Sequence, residues 1–190
     1  MGFYKVESHT QKCQQSSFHA DVGLGKGNCF NILYNWVYLP NIKGPLCSGK
    51  TYCAQEVATA RKLPMKTLQI NDDLDSRTIF GSYSCTDVPG EFVWQPSMFS
   101  KCLKEECLIL LKSFDTAHVD LVAAILSLAE THSYRVQGEG ICKVNEGCRI
   151  VASMSSEGNL SLLRDYPYAV NLQPLTNEEH SQILSMRFPI

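Results

Sequence analysis

Short apolar runs alternate with amphipathic stretches along residues 36–190. A continuous apolar run such as Cys107–Leu111 is typical of a strand that is buried on both faces of a parallel sheet. The segments predicted as strands of one sheet are Trp36–Ile42, Met65–Ile70, Cys107–Leu111, Arg149–Ser153 and Tyr168–Leu172. Because helical stretches separate them, the pattern predicts a three-layer α/β domain with a five-stranded, mainly parallel sheet.

The first half of this domain carries several helix signals. Apolar positions predict a helix over Lys50–Arg61, which Leu63-Pro64 ends. The polar turn Asn71–Asp75 is expected to cap a helix from Ser76. Glycine and proline break residues 81–96, where only a short strand over Glu91–Gln95 is predicted.

The second half continues the alternation. Pro96 is predicted to start a helix that runs through Lys104. Asp115 or Thr116 is expected to cap a strong helix to about Ala129. Tyr134–Val136 and Ile141–Val144 flank two glycines, which predicts a hairpin before the fourth strand. A last short helix is predicted over Asn177–Met186.

Residues 1–35 show no such alternation. They are largely polar around Gly23–Gly27, which lacks the preceding strand and following helix of a phosphate loop and is read as a turn. The sequence therefore predicts a poorly organised N-terminal arm over residues 1–35 and a folded core over residues 36–190.

Composition excludes several functional classes. The chain has 190 residues, 44% hydrophobic and 19% charged, with a net charge of −2, so no basic excess indicates a nucleic-acid footprint. No apolar run approaches the roughly 18 residues of a membrane span. Its nine cysteines include no C-x-x-C pair, which favours reduced thiols in an intracellular protein.

The strongest chemical signal lies between the first predicted strand and the first predicted helix. The segment reads Gly-Pro-Leu-Cys-Ser-Gly-Lys-Thr, a complete G-x-x-x-x-G-K-[ST] phosphate-binding loop. Backbone N–H groups of such a loop surround phosphates, its lysine reaches the outer phosphates, and its threonine hydroxyl holds Mg²⁺. The predicted nucleotide-binding residues are Gly44, Pro45, Leu46, Cys47, Ser48, Gly49, Lys50 and Thr51, with Thr51 also on the metal.

The acidic residues that hydrolysis requires are not where they are expected. Mg²⁺ and the attacking water need carboxylate or similar groups at the end of a neighbouring strand. After Leu111 the chain has Lys112 and Ser113, neither of which replaces a carboxylate. Asp115 follows shortly, and it is either a helix cap or a metal or water contact and hence a catalytic candidate.

Two further residues are weaker candidates. Ser153, at the end of the fourth predicted strand, is either a sensor of the outer phosphate or a plain strand-end hydroxyl. Arg164, shortly before the fifth predicted strand, is either an arginine finger for a neighbouring subunit or a solvated surface residue.

The loop, the strand order and the segment 80–96 together resemble the midasin family, dynein-related AAA+ ATPases of large ribosomal subunit assembly. The resemblance runs from about Lys43 to Ile190 and is sharpest in Phe-Gly-Ser-Tyr-Ser-Cys-Thr-Asp-Val-Pro-Gly-Glu-Phe-Val-Trp-Gln-Pro, residues 80–96. It implies the large AAA+ subdomain with an insertion in the second helix. It further implies that residues 44–51 bind ATP with Mg²⁺, that residues 107–115 form the Walker B region, and that residues 133–144 form the hairpin before the sensor strand.

The chain also departs from the family. The adjacent acidic pair falls on Lys112 and Ser113, a second acid on Asp115, and sensor polarity is reduced to Ser153. The helical lid that follows the core in the family is expected to be absent because the chain stops at Ile190. The expectation is an ATP-binding module whose hydrolysis is weak or lost.

Two alternatives remain open. One is an active ATPase that uses Asp115 or carboxylates supplied by a partner, and the other is a non-binding interaction module or degenerate fragment. The family implies a ring with other AAA+ modules, pre-60S ribosomal particles as partners, and a nuclear location in the nucleolus or nucleoplasm.

Overall fold

The computed structural model describes residues 39–136, 140–155 and 169–187. A five-stranded sheet forms its centre, in the spatial order β2-β5-β8-β1-β9, with every neighbouring pair parallel. Its strands are β1 (Asn41–Lys43), β2 (Met65–Gln69), β5 (Leu108–Lys112), β8 (Arg149–Met154) and β9 (Ala169–Asn171). The predicted sheet is confirmed. The predicted arm, residues 1–35, lies outside the described residues.

Helices cover both faces of this sheet. On one face lies α1 (Lys50–Ala60), and on the other lie α2 (Met98–Leu103) and α3 (Val119–Thr131). Strand β5 shows why its sequence is apolar throughout, since Leu108 and Leu110 pack towards α1 while Ile109 and Leu111 pack towards α2 and α3. The three-layer prediction is therefore confirmed.

The segment between β2 and α2 differs from the prediction. The helix expected from Ser76 is wrong, because residues 76–80 form successive turns in which the Ile79 N–H donates to the Asp75 carbonyl at 3.1 Å. Strand β4 (Phe92–Pro96) is close to the predicted strand, whereas its antiparallel partner β3 (Gly81–Cys85) was not predicted. The insertion is thus a β-hairpin.

Helix α2, which was predicted to start at Pro96, begins two residues later. Pro96 ends β4, and α2 begins at Met98. Ser97 is its N-cap, since the Ser97 hydroxyl accepts a hydrogen bond from the Ser100 N–H at 3.1 Å. The Ser97 N–H donates to the Phe80 carbonyl at 3.2 Å, which joins the base of the hairpin to the start of the helix.

The prediction that Asp115 or Thr116 caps helix α3 is also wrong. Phe114–Thr116 form a 3-10 turn, and α3 begins at Val119 with His118 as the N-cap residue. The side chain of Phe114 is fully buried, which holds this turn against the sheet before the helix can start. Asp115 is therefore free of a capping role.

The remaining elements agree with the sequence pattern. Strands β6 (Ser133–Val136) and β7 (Gly140–Lys143) form the predicted hairpin before β8, and α4 (Asn177–Arg187) follows β9. None of the helices in the described ranges has the length and apolar character that crossing a membrane requires.

Candidate nucleotide-binding site

The phosphate loop lies at the carboxyl edge of the sheet, between β1 and α1. The Gly44 N–H donates to the Met154 carbonyl at the end of β8, at 3.3 Å, and the Leu172 N–H after β9 donates to the Lys43 carbonyl at 2.7 Å. A Cβ on Gly44 would lie 2.6 Å from the Ser48 Oγ and 3.0 Å from the Leu172 carbonyl oxygen. Only glycine therefore fits where the loop leaves the sheet.

Two residues of the loop have a left-handed backbone conformation. Cys47 has φ 60°, and Gly49, which precedes α1, has φ 84°. The Gly49 carbonyl accepts the Cys53 N–H at 2.9 Å, so the helix starts directly from the loop. Leu46, at the crest of the loop, is 91% exposed. This geometry leaves the first N–H groups of α1 at the loop, where anions bind favourably.

Lys50 closes the loop on itself. Its ammonium donates to the carbonyls of Gly44 at 2.8 Å and Pro45 at 2.6 Å. Burial lowers the pKa of Lys50, and the nearby charges of Asp115 and Cys47 offset part of that effect. The lysine is thus a partly desolvated cation at the centre of the predicted site.

The residues present fit a triphosphate with Mg²⁺. The Ser48 Oγ is buried inside the loop and has no hydrogen-bond partner in the described structure, so a donor and acceptor remains for a ligand. Thr51 is exposed at the first turn of α1, where its hydroxyl is accessible to a metal carried by the nucleotide. Lys50 supplies the positive charge for the outer phosphates.

The end of β5 carries no acid at the two positions that follow Leu111. Lys112 is the last residue of β5 and is half-buried. Ser113 is left-handed, with φ 54° and ψ 42°, and its hydroxyl accepts a hydrogen bond from the Gln69 Nε2 at 2.9 Å. These two positions therefore present an ammonium and a hydroxyl to the edge of the sheet.

Asp115 is the carboxylate that the structure brings to the loop. It lies in the 3-10 turn after β5, and its Oδ1 accepts the Ser155 N–H at 3.2 Å. Its negative charge opposes the effect of burial on Lys50, although burial is the larger effect and the pKa of that lysine stays lowered. The structure therefore places Asp115 near Lys50, although the two are far apart in sequence.

The two weaker candidates differ in what can be described. Ser153 is buried in β8, and its hydroxyl donates to the Leu111 carbonyl at a long 3.4 Å, towards β5. Arg164 lies outside the described residues. Their roles as sensor and arginine finger stay predictions.

Sequence reasoning missed Gln69 at this edge. It is the last residue of β2, paired in register with Lys112, and its amide Nε2 also donates to the Ile70 carbonyl at 3.3 Å. A polar residue at the end of a predicted strand was the available signal, since the carboxyl ends of parallel strands meet at one edge. Among the described residues, no three or more histidine, cysteine, aspartate or glutamate side chains come together in a group that could hold a metal ion.

Comparisons with known proteins agree with this geometry. Midasin of Dictyostelium discoideum is 27% identical over 193 residues, an alignment that covers 97% of this chain and 3% of the length of that protein. A crystal structure from Cytophaga hutchinsonii, of a protein described as a candidate ATPase, superimposes with a TM-score of 0.61. That comparison covers 85% of this chain and 49% of the other, at 14% identity, and bears on the fold alone. A sequence profile of the AAA domain (dynein-related subfamily) matches residues 42–165, from within β1 past β8. The chain therefore belongs to the dynein-related subfamily of AAA domains.

Proposed function

We propose that this chain is an ATP-binding AAA+ module of midasin type whose hydrolysis of ATP is weak or lost. The observation that carries the proposal is the contrast between an intact loop and an end of β5 without acids. Lys50 lies in a loop with a buried, unpartnered Ser48 hydroxyl, whereas Lys112 and Ser113 occupy the acidic positions. The proposal is therefore that the chain keeps the residues that bind ATP and lacks those that hydrolyse it.

The residues divide the work of binding between them. Loop N–H groups and Lys50 hold the phosphates, and Thr51 holds Mg²⁺, which when bound neutralises phosphate charge. Lys112 adds a positive charge at the same edge of the sheet. Neither it nor Ser113 accepts a proton from water as a carboxylate does, so the attacking water is poorly activated.

A module that binds ATP without cleaving it can still act by shifting an equilibrium between two conformational states. ATP held between neighbouring AAA+ modules stabilises whichever arrangement binds it better, without being cleaved. Similarity to midasin supports a role beside other AAA+ modules in a ring, on pre-60S particles during large ribosomal subunit biogenesis in the nucleus.

An active ATPase is the second candidate, and the position of Asp115 favours it. Its carboxylate lies near Lys50 and is held by the Ser155 N–H, so it is a candidate to contact Mg²⁺ or water in place of the lost pair. Carboxylates supplied by a partner are the other form of this candidate. A third candidate, an interaction module that uses the fold only, predicts no nucleotide binding.

Equilibrium binding of a fluorescent ATP analogue with Mg²⁺ tests the proposal. We expect Lys50→Ala to weaken binding by roughly tenfold or more, because a charge-assisted contact to phosphate is lost. Lys101→Ala, which removes an exposed charge on α2, serves as the matched control and should bind like the wild type. No binding to the wild-type chain would favour the interaction module.

Phosphate release then separates the first two candidates. The proposal expects release close to the uncatalysed background. A steady release that Asp115→Asn abolishes would support the Asp115 ATPase. Release that Asp115→Asn leaves unchanged would exclude the Asp115 form of that candidate.

A further inference from the structure

A large groove lies outside the nucleotide site, between the two hairpins and α3. Its volume is about 1030 Å³, at the upper end of the range of about 300–1,000 Å³ that is usual for ligand pockets. The floor contains the stacked rings of Phe80 and Tyr134, whose centroids are 5.5 Å apart. One wall is the β3–β4 hairpin and the other is the β6–β7 hairpin.

Strand edges face this groove. Consecutive residues of β3, Gly81–Tyr83, and of β6, Ser133–Val136, line it. Since consecutive side chains of a strand point to opposite faces, a lining run of this kind indicates that the strand presents its edge. Within the described part of the chain, β3 pairs with β4 alone and β6 with β7 alone. Each of the two strands therefore has one edge without a partner strand, open to a further strand.

The charge of the groove is opposite to that of the chain. Arg77 and Arg135 line it and are exposed, whereas no aspartate or glutamate is among its described lining residues. Neither guanidinium makes an ion pair with another described residue. The chain as a whole carries a net charge of −2, so these two cations form a local positive site.

Apolar side chains complete the surface. Tyr83 is 52% exposed and packs edge-on against Trp94, with ring centroids 5.2 Å apart. Ile141, on the opposite hairpin, is 70% exposed. Exposed apolar groups beside unpaired cations and strand edges are the features that recognise a strand with alternating apolar and acidic side chains.

We propose that this groove binds an extended acidic peptide segment of a partner protein, which adds as a strand to the edge of β3 or β6. Arg77 and Arg135 pair with its carboxylates, and Tyr83 and Ile141 contact its apolar side chains. A single-stranded nucleic acid fits less well, because the described lining residues of the groove include two arginines and no lysine. The groove shares no residue with the phosphate loop, so the proposal stands independently of ATP binding.

Fluorescence anisotropy with the full chain tests the proposal. The probes are labelled peptides of about ten residues that alternate glutamate or aspartate with valine, isoleucine or tyrosine. Each has a counterpart in which lysine replaces the acids, and a labelled oligouridine is included. We expect the acidic peptides to bind and their lysine counterparts not to bind. If no acidic peptide binds more tightly than its counterpart, or if oligouridine binds more tightly than all peptides, the proposal is overturned.

Variants of the exposed arginines locate the site. We expect Arg77→Gln and Arg135→Gln each to weaken peptide binding about threefold, and the double variant roughly tenfold. Lys101→Gln removes the same charge from α2, outside the groove, and should leave binding unchanged. Equal effects of all three single substitutions would mean non-specific charge attraction and would overturn the assignment of the groove.

Peptide N-methylation tests the strand itself. Methyl groups on alternate amides remove the N–H donors from one edge of a strand and leave the other edge intact. We expect one of the two alternating sets to abolish binding and the other to have little effect. Binding that tolerates both sets would overturn strand addition.

Discussion

The carboxylate of Asp115 accepts the backbone N–H of Ser155 at 3.2 Å. This hydrogen bond joins the turn after β5 to the residue that follows β8. Met154, the preceding residue, accepts the Gly44 N–H at 3.3 Å, so the turn and the phosphate loop share the end of β8 as a common support. Asp115 therefore positions the backbone around the loop and also carries the charge that acts on Lys50.

Removal of the Asp115 acceptor should destabilise the fold. We expect Asp115→Ala to lower the free energy of unfolding by about 1–2 kcal/mol, because a half-buried, charge-assisted hydrogen bond is lost. Asp115→Asn keeps an oxygen acceptor and should cost less. Urea unfolding measures both, with the exposed Asp73→Ala as control. Equal stability of Asp115→Ala and the wild type would show that this bond contributes nothing.

Nucleotide affinity should depend on alkaline pH through Lys50. Its pKa is lowered from 10.5, chiefly by burial, and only the ammonium attracts phosphate. We therefore expect affinity for the ATP analogue to fall as the pH rises through that lowered value, before 10.5 is reached. Titration of binding between neutral and alkaline pH measures this, and Lys50→Arg, which stays charged, should show no such fall.

The stability contribution of Lys50 has the opposite sign. Between its lowered pKa and 10.5, the unfolded chain holds more protons at this lysine than the folded chain does. Its contribution to the free energy of unfolding therefore rises with pH across that window. In the wild-type chain, a free energy of unfolding that falls across this window together with the affinity for the ATP analogue would contradict the lowered pKa of Lys50.

Asn41 is a test of an unpaired buried amide. It is 0% exposed in β1, and neither its Oδ1 nor its Nδ2 has a hydrogen-bond partner in the described structure. We expect Asn41→Val to raise the free energy of unfolding by about 1–2 kcal/mol, because the cost of desolvating the amide disappears. Thermal and urea unfolding measure it. The neighbouring Ile42→Val, a pure loss of buried volume, should instead cost about 1 kcal/mol.

Gly44 should tolerate no larger residue. Its added Cβ would meet the Ser48 Oγ at 2.6 Å, so we expect Gly44→Ala to displace the loop, weaken binding of the ATP analogue and cost about 1–3 kcal/mol of stability. Gly90→Ala is the matched control. Gly90 has φ 88° and no atom within 4 Å of an added Cβ, so it should cost only backbone strain of roughly 1 kcal/mol and leave nucleotide binding intact.

Restoring the acids should raise hydrolysis. We expect the double substitution Lys112→Asp with Ser113→Glu to increase phosphate release by about tenfold or more, since a positioned general base contributes on the order of a hundredfold. Lys112→Asn with Ser113→Gln, which matches the two acids in size but carries no carboxylate, is the control. The left-handed backbone of Ser113 makes glutamate mildly unfavourable there, and unfolding measurements on both variants account for that cost. Equal rates in the two variants would mean that the missing acids are not the limitation.

The sequence by itself predicts the elements whose conformation depends on residues close together in the chain. The spacing of Gly44, Gly49, Lys50 and Thr51 predicts a phosphate loop because all of these residues lie within one short segment, in which Gly49 supplies the left-handed residue before α1. The apolar run of β5 predicts a strand covered on both faces, since every one of its side chains must leave water. The hairpin before β8 followed likewise from glycines between two short strand segments.

Tertiary contacts decided the rest. The turns at residues 76–80 replaced a helix because the Phe80 carbonyl is bound by the Ser97 N–H at the start of α2, a partner seventeen residues away. Asp115 does not cap α3 but accepts the Ser155 N–H, because the buried Phe114 holds its turn against the sheet. Neither contact is visible in sequence spacing, since the first depends on the pairing of β3 with β4 and the second on β5 lying beside β8. The order β2-β5-β8-β1-β9 is what brings Asp115, Gln69 and Lys50 to one edge.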